Sequence, residues 1–265
     1  MIVRYESDGS IVMITQNDHA QLSGLFAAHW GNGKFENPQP YASLVRAAMF
    51  HDRGWIRYET GPQLSLETGK TPNYREVPND RAQLDSFEWA GDWLSSIDPY
   101  AGLMIAKHRT GLWQGRYGVI AQPPAIQRGK LSPDIEAFIA RSEAKQKIAA
   151  EKLDAKELAI NYNLLQVWDM LSLYICSTEV LKPDRIEPVP ADYSGASTGM
   201  TLTPVEPKTI SLDPYPFDQP ALITNVIFRR LTQSKFKNSA ELQSAYFKTA
   251  PQIASFRLVP SAAVH

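Results

Sequence analysis

The sequence predicts a mainly helical α+β protein: a helical core carrying a small antiparallel sheet. Three observations predict it. Two short β-favouring runs open the chain on either side of Ser7-Asp8-Gly9-Ser10; helical periodicity holds from Asn17 to about Cys176; and β-favouring pieces return after a Pro-rich connector. With 265 residues, 43% of them apolar, the chain can fill a substantial core, and length alone forces no split. The expected organisation is a hairpin over 1–16, a helical core over 17–180 and a β-rich segment over 181–265 packed on that core.

The elements follow in order. IVRY and IVMI, residues 2–5 and 11–14, flank turn-forming residues and read as a hairpin. Asn17 or Asp18 then offers an N-cap for a helix whose face carries His19, Leu22, Phe26 and His29. From Tyr41 to Asp52, the residues Leu44, Ala47, Ala48 and His51 share a stripe, and Gly54 breaks the helix. Gly61 to Asp80 is rich in Gly, Pro, Thr and Asn, and reads as a long loop of the kind that often carries function. Helices resume over Asp85–Ile97 and Tyr100–Arg109, the second presenting Ala101, Met104, Ile105 and His108 on one side. Ser132-Pro133 is a strong helix start, leading into a charged helix that reaches about Lys152. Glu157–Cys176 places Leu158, Tyr162, Leu165, Asp169 and Ser172 on one stripe, so an aspartate interrupts an apolar face. Beyond the connector, MTLTPVE, TISLDP, ALITNVIFRRL and SFRLVPS read as an antiparallel sheet that can include the hairpin, with a short helix over Ser239–Lys248.

Composition excludes several functions. Lys and Arg total 27 against 28 Asp and Glu, for a net charge of -1, so there is no global attraction to nucleic acid or to an anionic membrane. The opening MIVRYESDGS lacks the apolar stretch of a signal peptide, and no apolar run is long enough to span a bilayer, so the expected location is cytoplasmic. The single cysteine, Cys176, sits in the apolar run MLSLYIC and reads as a buried hydrophobe.

The chemistry lies in the polar residues that interrupt apolar faces. A lone histidine on such a face is usually a satisfied core residue. Here His19, His51, His108 and Asp169 each interrupt the stripe of a different helix, and Asp52 adjoins His51. Burying them separately would cost kcal/mol apiece, whereas one divalent metal satisfies them together. His29 lies ten residues beyond His19, roughly 15 Å along an unbroken helix, and is too far to share the ion.

The order His19, His51-Asp52, Asp169 resembles the HD superfamily of metal-dependent hydrolases, with His108 similar to an intermediate histidine near the substrate or a second metal. Nearly the whole chain is similar to a bacterial family, domain of unknown function 3891. The stretches VMITQNDHAQLSG, AMFHDRGWIRYE, LSLETGKTPN, LMIAKHRTGL, LLQVWDMLSLYIC and DPYPF carry that similarity. The resemblance implies an HD-domain-like helical core, with metal ligands His19, His51, Asp52 and Asp169. It makes Asp52 and His108 catalytic, and His108, Arg109 and Arg53 candidate ligand or substrate contacts. Many HD phosphohydrolases follow the doublet with Gly-Lys, whereas this chain reads Arg53-Gly54-Trp55, so a basic group must come from Arg53, Arg57, Lys107, Arg109 or Arg116. No second His-rich segment accompanies His108, which favours one metal: Mn, Fe, Co, Ni or Zn. The expected activity is hydrolysis of a nucleotide or other small phosphoester, with an HD-like iron oxygenase or a non-catalytic metal- or ligand-binding protein as alternatives. Trp55, Tyr58, Tyr74 and Trp113 could line a pocket, although packing is the commoner role of such residues.

Overall fold

In a computed structural model, residues 1–65, 67–77, 79–115 and 131–261 are described. The hairpin forms as strands β1 (Ile2–Tyr5) and β2 (Ile11–Ile14). Helices α1 (Gln16–Ala28) and α2 (Tyr41–Phe50) follow, then a 3-10 turn at Arg53–Trp55 and the short α3 (Ile56–Glu59). Next come α4 (Arg81–Ile97), α5 (Pro99–Gln114), α6 (Pro133–Ala150) and α7 (Ala155–Cys176). The C-terminal part contributes β3 (Asp184–Pro190), β4 (Ser197–Glu206), β5 (Thr209–Asp213), β6 (Leu222–Leu231), α8 (Ser239–Lys248) and β7 (Gln252–Pro260).

The seven strands form one curled sheet in the order β1-β2-β6-β7-β5-β4-β3, a half-barrel rather than a small appendage. Strand makes up 21% of the structure against 47% helix, which corrects the expectation of an HD-like, mainly helical core with a small sheet. Nor is the sheet wholly antiparallel. Strand β7 returns after α8 and inserts between β6 and β5, antiparallel to the first and parallel to the second. The N-terminal hairpin joins the same sheet through β2 and β6, where Ile11 faces Leu231.

Burial explains the patterns. One core unites Ile186, Met200, Leu202, Leu212, Val226 and Leu258 of the sheet with Leu22 and Phe26 of α1 and Leu165 and Trp168 of α7, so the sheet curls about those helices. Strand β2 is apolar at every position because both faces are covered. Val12 and Ile14 join the main core, while Ile11 and Met13 pack with Leu242 and Tyr246 of α8. Full burial of each such side chain is worth about 1.5–3 kcal/mol. Helices α1 and α2 meet at Gly24, where an added Cβ would lie 2.1 Å from Met49 Cγ. That close approach brings the C-terminus of α2, and with it His51, against α1.

Helix caps refine the expected boundaries. Thr15 rather than Asn17 or Asp18 caps α1, its hydroxyl accepting from the Asp18 amide at 2.8 Å. Asp80 caps α4, which begins at Arg81, four residues before the expected start, while Asp98 and Ser132 cap α5 and α6 ahead of Pro99 and Pro133. The described residues of 61–80 form no helix or strand and are tied to the start of the chain, the Asn73 side chain donating to Val3 O at 3.1 Å and the Tyr74 amide to Met1 O at 2.8 Å. Among the described residues, no helix is long and apolar enough to cross a membrane.

Candidate metal centre

Five chemistry-bearing residues converge from five elements of the helical layer. His19 lies in the second turn of α1, His51 caps the C-terminus of α2, Asp52 begins the 3-10 turn, His108 sits on α5 and Asp169 on α7. All five are buried, the least so 4% exposed. Two groups could hold a metal ion, His19-His51-Asp169 and His51-Asp52-His108, with ligand atoms within 4.8 Å of one another in each. The groups share His51. Because one imidazole nitrogen binds one ion, the sharing favours a single centre.

The surrounding hydrogen bonds fix which nitrogen faces the centre. His51 Nδ1 lies 2.8 Å from the Ala48 carbonyl and donates its proton there, so a neutral His51 carries its lone pair on Nε2. His19 is set by a longer relay. Ser172 Oγ donates to the Asp169 carbonyl at 2.7 Å, where only the serine can supply a proton, so it accepts from His19 Nδ1 at 2.8 Å. His19 Nε2 is thereby also a lone-pair donor. It lies 3.1 Å from Asp52 Oδ2 and 3.8 Å from Asp169 Oδ1, while His51 Nε2 lies 3.3 Å from Asp169 Oδ1 and makes no well-directed hydrogen bond. Two lone pairs thus face two carboxylates, an arrangement that demands positive charge between them.

Without a metal, protons must provide that charge. Burial lowers the His51 pKa, but the Asp169 and Asp52 carboxylates more than reverse this, taking it up to about 9. Burial would raise both carboxyl groups. It is overcome at Asp52 by charged His51, by bonds from His108 and His19 and by Arg109, which hold it well below the usual range; His51, His108 and His19 do the same for Asp169. His108 is pushed down, chiefly by burial, against the pull of Asp52. Apolar replacement of a buried ion network is often neutral or stabilising by about 1–4 kcal/mol, so stability alone does not account for this cluster. A divalent cation fits the donor set.

The sequence places His19, His51, His108 and Asp169 on inward faces with Asp52 beside His51, and the structure brings all five together. Arg109 also reaches the centre, where it contacts Asp52. Its Nη2 donates to Asp52 Oδ1 at 2.7 Å, and its guanidinium lies 4.0 Å from the Phe87 ring centre, 5.5 Å from Trp55 and 5.6 Å from Trp113. It braces Asp52 from within an aromatic box. Arg53 packs over Trp93 at 5.5 Å and pairs with neither site carboxylate. Arg57 is exposed, Lys107 lies over the Tyr162 ring, and Arg116 falls outside the described residues. His29 bonds Asp218 at 3.0 Å, away from the centre. Cys176 is buried, and burial takes its thiol up to about 12.

Three supports escaped sequence reasoning. Gln16 Nε2 donates to Asp52 Oδ2 at 2.9 Å, so with Arg109 both oxygens of that carboxylate are oriented. Ser23 donates into the Ser172 relay, and Glu59 accepts from the Gln16 backbone amide and the Asn17 side chain, fixing the first turn of α1. Gln16, His19 and Ser23 share one face at helical spacing, the signal that could have revealed them.

Fold and site together define a mixed α/β protein with a buried His/Asp cluster able to hold a metal ion. The family described as Protein of unknown function (DUF3891) matches residues 1–233, and the chain belongs to it. No curated protein and no solved structure matches the chain.

Proposed function

We propose that the chain is a metal-dependent phosphohydrolase acting on a small phosphoester, nucleotides included. The observation that carries this reading is the facing of the buried His19 and His51 lone pairs toward Asp52 and Asp169. The same residues, in the chain order His, His-Asp, Asp, resemble the ligand set of HD-superfamily hydrolases, although the half-barrel sheet is not part of that expectation. A bound divalent ion would supply Lewis acidity toward a phosphoryl oxygen and toward water.

The chain's own groups have distinct tasks. His19, His51, Asp52 and Asp169 hold the ion, with Nδ1 of each histidine anchored so that its ring cannot turn. Asp52, oriented by Gln16 and Arg109, positions a water and accepts its proton. His108 Nε2, 3.8 Å from Asp52 Oδ1, is placed to relay that proton from Asp52 to the departing oxygen. Elemental analysis of purified protein, with a screen of generic phosphoesters under Mn, Fe, Co, Ni and Zn, tests the reading. Near-stoichiometric metal with metal-dependent phosphate release supports it, and tight metal binding with no hydrolysis under any of these ions contradicts it.

A further inference from the structure

A compartment between α4, α5 and α6 reaches His51 and Arg109. It exists because three helices present small residues to one another: Gly91 from α4, Ala106 from α5, and Ser142 and Ala149 from α6. Glycine is an unfavourable choice inside a helix, by about 1 kcal/mol against alanine. No close-packing need at Gly91 offsets that preference, since a Cβ there would meet nothing within 4 Å. Elsewhere in the same layer helical glycine does serve packing, as at Gly102, where a Cβ would lie 2.1 Å from Ser95 Oγ. Phe87, Leu103, Ile105 and Phe138 supply the larger, apolar share of the remaining wall. Lys145 bridges Glu88 at 3.2 Å and Asp92 at 2.8 Å between α6 and α4, so charged and polar groups line one side of the compartment.

Size limits what it admits. The space measures about 70 Å³. On the same measure a water needs about 10–15 Å³, so about five water-sized groups fit. A nucleoside is several times too large to lie within it. A chain of three to five carbons is not.

We propose that this compartment receives the apolar end of a short-chain alkyl phosphoester whose phosphoryl group lies at the His51 end, making small non-nucleotide phosphoesters the substrate class. This rests on the phosphohydrolase reading above and narrows it.

The test measures binding of inorganic phosphate and of methyl-, ethyl-, propyl- and butylphosphonate to full-length, metal-loaded protein. Affinity should rise by up to ~4-fold for each buried methylene. Gly91→Leu, which favours the helix while filling the space, should abolish that rise and leave metal content and inorganic phosphate binding unchanged, with Gly91→Ala intermediate. If phosphate binds but chain length has no effect in the wild type, or if the rise survives in Gly91→Leu, the compartment proposal is wrong and the metal-site reading stands. If neither phosphate nor any phosphonate binds the metal-loaded protein, the phosphoester reading itself fails and takes this proposal with it.

Discussion

Ser172→Ala tests whether the hydrogen-bond relay behind His19 sets the centre. The Ser172 hydroxyl is fully buried, accepts from His19 Nδ1 at 2.8 Å, donates to the Asp169 carbonyl at 2.7 Å and meets Ser23 Oγ at 3.1 Å. Its removal creates little cavity but leaves the His19 Nδ1 proton without its acceptor. An unsatisfied buried group costs roughly 1–3 kcal/mol, and loss of a partner behind a metal ligand typically weakens metal binding about 10–100-fold. For a chain of this size, about 2 kcal/mol corresponds to a fall in Tm of roughly 4–8 °C. Metal affinity from chelator competition and Tm from calorimetry should therefore both drop, while Ser172→Thr, which keeps the hydroxyl, should recover metal affinity. A Ser172→Ala variant with wild-type metal affinity would show that His19 is not held by this relay, and the assignment of its Nε2 to the ion would fail.

Further outcomes follow from the same geometry. His51→Ala and Asp52→Ala should each abolish metal retention with helical circular dichroism largely preserved, and full metal occupancy in both would remove the centre from this position. His108→Ala should keep most of the metal and lose activity or ligand affinity; metal loss equal to that of the His51 variant would make His108 a ligand of the first rank. Because folding raises the His51 pKa to about 9, its contribution to metal-free stability is complete below its unfolded value near 6.5 and disappears as pH climbs through 9. Asp52 and Asp169 are lowered on folding, so their contribution is present above about 4 and disappears as pH falls below that. Melting of metal-free protein should show both limbs, and a His51→Gln variant should flatten the alkaline one; an unchanged alkaline limb in that variant would assign it to another group.

Much of this molecule was legible in the sequence because its signals are local. The hairpin reads directly from two β-favouring runs around a turn, and His19, His51, His108 and Asp169 from polar interruptions of helical stripes. The sheet was not legible because its order is set by contacts between distant strands. Strand β3 carries Pro188 and Pro190 and reads as a connector, yet it lies at a sheet edge, where a missing amide donor is tolerated. Nothing in the β5 or β7 sequence shows that β7 inserts between β6 and β5 to make a parallel pair. The role of Arg109 was hidden for a related reason. Its aromatic box draws Trp55 from the 3-10 turn, Phe87 from α4 and Trp113 from α5, residues whose convergence no spacing encodes. The HD-like expectation named residues that converge in the fold and missed the architecture around them.

The central claim is that the buried cluster binds a divalent cation through Asp169 as well as through the histidines, and metal-dependent melting of Asp169→Asn tests it most directly. The substitution keeps side-chain shape and removes the charge that faces His51 Nε2 at 3.3 Å. A ligand that binds only the native state stabilises it by RT ln(1 + [L]/Kd), about 2.7 kcal/mol at a hundredfold excess over Kd. Wild-type protein stripped of metal should therefore show a Tm that rises with added Mn²⁺, Co²⁺ or Zn²⁺ in a concentration-dependent way, and Asp169→Asn should show no rise over the same range. An equal rise in the two proteins would contradict the account, since the ion would then be held without Asp169.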